Sequence, residues 1–395
     1  MRPPSARRPT LLLLLLIIQS THTFKSLAVV SKIIIDQVKG ATRPGGGGVQ
    51  AAAGARLGGD QGLSIALHAP VGMDFDDALL GGLEPYSIEC SNVAKLESVK
   101  TTPGEKISYD GDEMKFEPVG WDQWDDLCEW EPTELASGSY DAVHVIVEGS
   151  GAGEVKSALR ACAVARVVGD DQPCIGIEPV FQKLSKASME GGPLLELTRV
   201  ATLISPDLAT AICMRDAFLE EKDNDDTKRP CDVSSISKAA ARNRNAYLLE
   251  MCAALFDELC MQPGSLLAIR DGAYGSYLYS RPAPNAPMWQ WLTLTRDYEW
   301  LARVPAVELT EEEVRDPTGA GNAYAGALCA QLANGADPIG AASIATAVGA
   351  AFCKSSDAFP TDAEEARVWV EKASEAVKER IRVVVEAADP DPDRR

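Results

Sequence analysis

Histidine is scarce: three residues in 395, at positions 22, 68 and 144, with no paired spacing, which sets aside zinc chemistry and a His-based triad. Ten cysteines are present, but no C-x-x-C pair, and several lie in apolar runs such as Leu248–Leu255, so they read as buried free thiols suited to a reducing compartment. Basic residues are outnumbered, 38 against 58 acidic, and the formal charge of −20 repels a polyanionic backbone. Nucleic acid is excluded as a partner and a small-molecule substrate is favoured. The apolar run Leu11–Ile18 has eight residues, far below the roughly 20 needed to span a bilayer, so no membrane association is expected of the mature chain.

With 46% hydrophobic and 24% charged residues, the chain has the make-up of a globular protein, long enough for one large α/β domain or two small ones. Its start differs from the rest. Arg2, Arg7 and Arg8 precede the apolar run, and polar residues 19–23 follow it, which is the layout of a targeting segment over residues 1–24. Phe24 after a plausible cleavage point is also in keeping with a plastid presequence. The destinations implied are the secretory route or a plastid; the alternative is a cytoplasmic protein with a mispredicted first exon. From Asp389 the chain is acidic, and residues 387–395 read as a frayed tail.

Candidate chemistry concentrates in Asp316-Pro317-Thr318-Gly319-Ala320-Gly321-Asn322, followed by an apolar run from Ala323 to Ala330. This reads as a loop entering a helix. Small residues at 319–321 leave the first amides of the helix sterically open at its positive end, which is an anion hole. The other reading is a glycine-rich turn that merely starts a helix. Further signals are a run predicted as one buried parallel strand from Leu27 to Val38 with Asp36 at its carboxyl end, and a glycine run, Gly45 to Gly48, leading into an alanine-rich helix. Ser205-Pro206-Asp207-Leu208 follows another strand, where Asp207 reads equally as a helix N-cap. Asn334-Gly335 and Asp337-Pro338 punctuate two late helices, and Thr361-Asp362-Ala363-Glu364 reads as a capping box.

The string Asp316–Asn322 resembles the second signature of the PfkB, or ribokinase-like, carbohydrate kinases, D-T-x-G-A-G-D. The glycine run with Arg56-Leu57-Gly58 resembles their first signature, Val71-Gly72-Met73-Asp74 their V-G-x-D turn, and Arg270-Asp271-Gly272-Ala273-Tyr274-Gly275 their T-x-G-x-x-G nucleotide turn. Glu178-Pro179 and the G-A-G-N spelling are similar to a divergent branch, the fungal maintenance-of-killer proteins.

The resemblance implies a three-layer α/β/α sandwich around a mostly parallel sheet over residues 28–386, with ATP and magnesium as cofactors and phosphoryl transfer to a hydroxyl of a sugar, nucleoside or cyclitol. It implies phosphoryl stabilisation by Gly319, Ala320 and Gly321, with Asn322 at the place of the usual Asp base. It implies substrate contacts from Asp36, Gly45, Gly46 and Gln50, with Val49 as the alternative to Gln50. Nucleotide contacts fall on Arg270, Gly272, Gly275, Thr318 and Thr346, and metal handling on Asp207, displaced from the family's N-x-x-E. Two features depart from the pattern. An amide at 322 has no basic lone pair. Only eight residues separate Asp36 from Gly45, where the family inserts two lid strands, so the lid is expected to be reduced or absent and the protein a monomer or weak homodimer. A non-catalytic ligand-binding or scaffold protein on the same fold is the alternative.

Overall fold

Ser26–Val30 (SLAVV) is apolar on both sides because both sides are covered: Leu27 and Val29 pack into one core cluster, Ala28 and Val30 into another. The computed structural model describes residues 26–38, 40–110, 113–124, 140–147, 152–168, 174–180, 193–219, 247–281 and 300–385, with a few isolated residues between them. The targeting segment and the acidic tail lie outside the described residues.

In chain order the strands are β1 (Ser26–Val30), β2 (Ile34–Val38), β3 (Ala41–Gly45), β4 (Ser64–Val71), β5 (Ile88–Glu89), β6 (Val93–Lys95), β7 (Gly104–Asp110) and β8 (Glu113–Val119). Then come β9 (Ala142–Val147), β10 (Cys174–Pro179), β11 (Lys183–Leu184), β12 (Leu203–Ile204), β13 (Arg229–Pro230), β14 (Leu266–Arg270), β15 (Ser276–Ser280), β16 (Trp300–Val304) and β17 (Arg382–Val385). The helices are α1 (Gly48–Gly58), α2 (Ala152–Val168), α3 (Pro193–Val200), α4 (Leu208–Leu219), α5 over 247–258, α6 (Ala320–Ala333), α7 (Pro338–Cys353) and α8 (Ala363–Lys378).

The main sheet runs β17-β16-β15-β14-β12-β10-β9-β1-β4-β5, with β6 also on β4. It is parallel from β14 to β5, with Val29 facing Leu67 on one side and His144 on the other. The last three strands, β15 to β17, form an antiparallel edge. One face carries α1, α6, α7 and α8; the other carries α2 to α5. This is the expected three-layer sandwich.

Two expectations are corrected. The run Leu27–Val38 is not one strand: the chain leaves the main sheet at Ser31–Ile33, where Ser31 Oγ donates to the carbonyls of Lys32 (3.0 Å) and Gly46 (2.8 Å). Asp36 therefore sits inside β2, not at the carboxyl end of a central strand. The lid is also present. The eight residues between Asp36 and Gly45 suffice for a hairpin, β2 to β3, and β7 and β8 complete a separate four-stranded sheet of order β3-β2-β7-β8. Its missing half comes from a segment almost 70 residues further on. The V-G-x-D turn anchors that segment, with Asp74 Oδ1 accepting from the Thr102 amide (2.6 Å) and hydroxyl (2.9 Å).

Smaller differences also have local causes. The cap of α8 is Asp362, accepting from the Glu365 amide at 2.9 Å, one residue later than the Thr361-to-Glu364 box. Cys213 is disulfide-bonded, whereas Cys90, Cys162, Cys174, Cys252, Cys260, Cys329 and Cys353 are thiols. Asn334 and Asp337-Pro338 end and start helices as their residue types dictate, Asp337 accepting from the Gly340 amide at 2.8 Å.

What positions the site is the seam between α1 and α6. Both are built of alanine and glycine, and their backbones touch: a Cβ on Gly54 would strike the Ala323 carbonyl, and one on Gly326 the Ala51 carbonyl. The two glycine-led N-termini are thereby set side by side, on helices that cover the central strands β10, β9, β1 and β4.

Candidate active site

Gly319 caps α6 with φ +80°, a left-handed conformation that glycine adopts at little cost. The turn before it is tied by Asp316, whose Oδ1 accepts from the Thr318 amide at 2.9 Å. Ala320 spends its amide on the Pro317 carbonyl at 3.2 Å, so it does not join the anion hole as expected. The amides of Gly319, Gly321 and Asn322 have no acceptor among the described residues, and all three positions are half-buried, within reach of a ligand. These are the first-turn donors that helix geometry leaves unsatisfied.

Around that opening the lid and the glycine loop converge. Asp36 is buried, and a Cβ on Gly45 would collide with its carboxyl group. Its Oδ1 has no hydrogen-bond partner among the described residues. Arg43, opposite Asp36 in the β2–β3 register, reaches across to Asp316 at 2.7 Å, an ion pair joining the lid to the loop before α6. Gln50 is buried with its Cγ against Gly319, whereas Val49 packs wholly into the core. Gly46 sits against the Lys32 carbonyl and Gly47 against the Asn322 amide.

The other predicted positions are distributed as follows. Arg270 ends β14 beside the head of α6. Gly272 and Gly275 form the turn of the β14–β15 hairpin, Asp271 donating to the Gly275 carbonyl at 2.7 Å. Asp207 caps α4, its Oδ1 accepting from the Thr210 amide at 2.6 Å, and its backbone bridges to Arg270. Thr346 is buried on α7, one turn before Gly349, which faces the Ala320 carbonyl. Among the described residues no cluster of three His, Cys, Asp or Glu side chains forms a metal cage.

Asn322 Nδ2 donates to Glu178 Oε1 at 3.0 Å, and Arg270 Nη1 donates to the same oxygen at 2.5 Å. His144 Nε2 lies 3.3 Å from Glu178 Oε2. Glu178 is thus a fully buried carboxylate contacted from three sides, by Asn322, Arg270 and His144. Sequence reasoning did not place it in the site. The signal was an acid followed by Pro179 at the carboxyl end of a buried strand, the end where open α/β sheets bind ligands.

Burial pushes the Asp36 carboxyl up to about 7, with Arg43 opposing and Glu105 and Asp316 adding to the rise. The folded form therefore keeps a proton that the unfolded chain, with its ordinary value of 3.8, has released. Stability contributed here falls as pH rises from about 4 to about 7 and is level above that. In Asp36→Asn the melting temperature is expected to depend less steeply on pH across that window; an unchanged slope would remove the assignment.

Residues 260–379 match the family model described as pfkB family carbohydrate kinase. No curated protein matches the chain in sequence. Among solved structures, the chain is similar to a ribokinase from Cryptococcus neoformans var. grubii serotype A in complex with ADP, at 17% identity over 91% of this chain and 99% of that one, TM-score 0.60. It is similar to a nucleoside kinase of Methanocaldococcus jannaschii, at 16% identity over 89% and 99%, TM-score 0.55. A fructokinase from Xylella fastidiosa with bound ATP is 15% identical over 89% and 99%, TM-score 0.57. The fold is ribokinase-like. Within this fold the candidate site holds an amide at 322, an arginine at 270 and a buried carboxylate at 178.

Proposed function

We propose that the chain is an ATP-dependent phosphotransferase acting on an alcohol group of a sugar, nucleoside or cyclitol. The observation that carries this reading is the set of open amides of Gly319, Gly321 and Asn322, in a loop tied by the Arg43–Asp316 ion pair to a lid whose buried Asp36 has an oxygen to spare. Phosphoryl transfer asks a protein chiefly for position and charge stabilisation. The amides suit a phosphoryl oxygen, and Asp36 suits acceptor hydroxyls. Magnesium, which keeps several waters and binds phosphate oxygens, would be held mainly by the nucleotide, since Asp207 is engaged as a cap.

Asn322 cannot take the acceptor's proton, so turnover is slow, by about 10² to 10⁴ relative to a site with a base. One observation favours a second reading, a ligand-binding protein without transfer: Asn322 is held as a donor to a carboxylate already paired with Arg270. The separating experiment is a thermal-shift screen with ATP and magnesium against sugars, nucleosides and cyclitols, followed by ADP release on the hits. ATP is expected to raise the melting temperature through binding to the folded state, and one polyol to raise it further and release ADP slowly. Stabilisation without ADP release would establish the second reading. No shift with ATP would overturn the first reading, and no shift with any ligand of the screen would overturn both.

A further inference from the structure

Arg270 stands where two independent features meet. From one side Glu178 accepts its Nη1 proton at 2.5 Å. From the other, a Cβ on Gly321 would lie 2.6 Å from the same Nη1 and 3.4 Å from Cζ. The guanidinium therefore lies against the first turn of α6, in the space a side chain at 321 would fill. Gly321 is small for two reasons: it opens an amide, and it makes room for this cation.

Arg270 is only 9% exposed, and its Nε has no partner among the described residues. A buried guanidinium with a donor left over is costly unless something accepts it. The amides of Gly319, Gly321 and Asn322, without acceptors among the described residues, belong to the same first turn, and a Cβ on Gly321 would lie 3.9 Å from Arg270 Nε. Only an acceptor placed there would satisfy both sets, and a group with several anionic oxygens does so best.

We infer that Arg270 is the cation that stabilises the transferring phosphoryl group at the head of α6, and that Glu178 is the positioning residue that fixes it there. This rests on the phosphotransferase reading. Glu178 aligns the guanidinium without cancelling its reach, since one nitrogen is engaged and the planar fork leaves others to the ligand. His144 and Asn322 hold Glu178 in turn, so the arginine is set before any ligand arrives. The arrangement supplies charge at the developing phosphoryl oxygens and does not move a proton. It thus suits a site that has lost its base but retains electrostatic stabilisation.

The test compares a non-hydrolysable ATP analogue with adenosine, by calorimetric titration of the full chain. Removing the cation alone would strand Glu178 in the core and could unfold the chain. Arg270→Lys and the paired Arg270→Gln/Glu178→Gln are therefore used together, the second deleting both charges at once. Each is expected to bind the analogue about 10- to 100-fold more weakly, the worth of a charge-assisted contact, with adenosine binding unchanged. For Glu178→Gln alone, ADP release should show kcat falling more than KM rises, because the cation remains but is no longer aimed. Equal loss of adenosine and analogue binding, or unchanged analogue binding in both arginine variants, would overturn the inference and leave the phosphotransferase reading standing. Failure of the wild-type chain to bind the analogue would take down both.

Discussion

Asn322→Asp combined with Glu178→Gln is expected to raise turnover by about 10² to 10⁴, and Asn322→Asp alone to raise it far less. The reason is the 3.0 Å separation between the Asn322 amide and Glu178 Oε1. A carboxylate introduced at 322 would face a second carboxylate at hydrogen-bond distance, in a place where Arg270 can offset only one of them. The two would share a proton, and the new group would be poorly able to accept another from a hydroxyl at neutral pH. Turning Glu178 into its amide restores one carboxylate and one amide with their places exchanged, and Arg270 then favours the ionised form of the carboxyl group introduced at 322. Two measurements check this: ADP release at saturating substrates, and its pH profile. The single variant should gain rate only as pH rises, and the double variant should be active at neutral pH. Equal rates for single and double variants would show that Glu178 does not govern proton acceptance at 322.

That pair also marks how far the sequence could be read. The open helix start was legible because its parts are contiguous: glycines, a helix start and an apolar run within 15 residues from Asp316 to Ala330. The parallel sheet was legible because strands covered on both faces carry uninterrupted apolar runs. The lid was not, since β2 continues the apolar run of β1 and its other partners, β7 and β8, lie beyond three further strands of the main sheet. Their alternating polar residues gave no sign of the sheet they join. Glu178 escaped for the same reason, because its three contacts come from β9, β14 and α6, at separations of 34, 92 and 144 residues. The residue types at 178, 270 and 322 were visible one by one; their convergence on one carboxylate oxygen was not. Nor could sequence separate Gly321 as an open amide from Gly321 as room for a guanidinium.

Gly326→Val is expected to destabilise the protein by about 3 kcal/mol or more and to weaken nucleotide binding beyond what lost stability explains. A Cβ at 326 would meet the Ala51 carbonyl oxygen, with Ala51 C at 2.7 Å and Cα at 2.8 Å. These are backbone atoms inside α1, so no side chain can swing aside; the helices must part. Ala323 approaches Gly54 on the same seam, and the Ala327 Cβ would lie 2.6 Å from a Cβ on Gly58, so relief at one contact is blocked by the next. Parting the helices shifts Gln50, on the first turn of α1, away from Gly319 at the head of α6, which loosens the site as well as the core. Gly335→Ala is the control. That glycine follows the end of α6 with φ +77° and open space around its Cβ position, so the variant bears backbone strain of about 1 kcal/mol without moving either N-terminus. Urea unfolding and titration with the ATP analogue, on both variants, check the expectation. Binding that falls only for Gly326→Val would show that the seam sets the spacing of the two helix heads. Equal binding in both variants would mean that the seam serves stability alone.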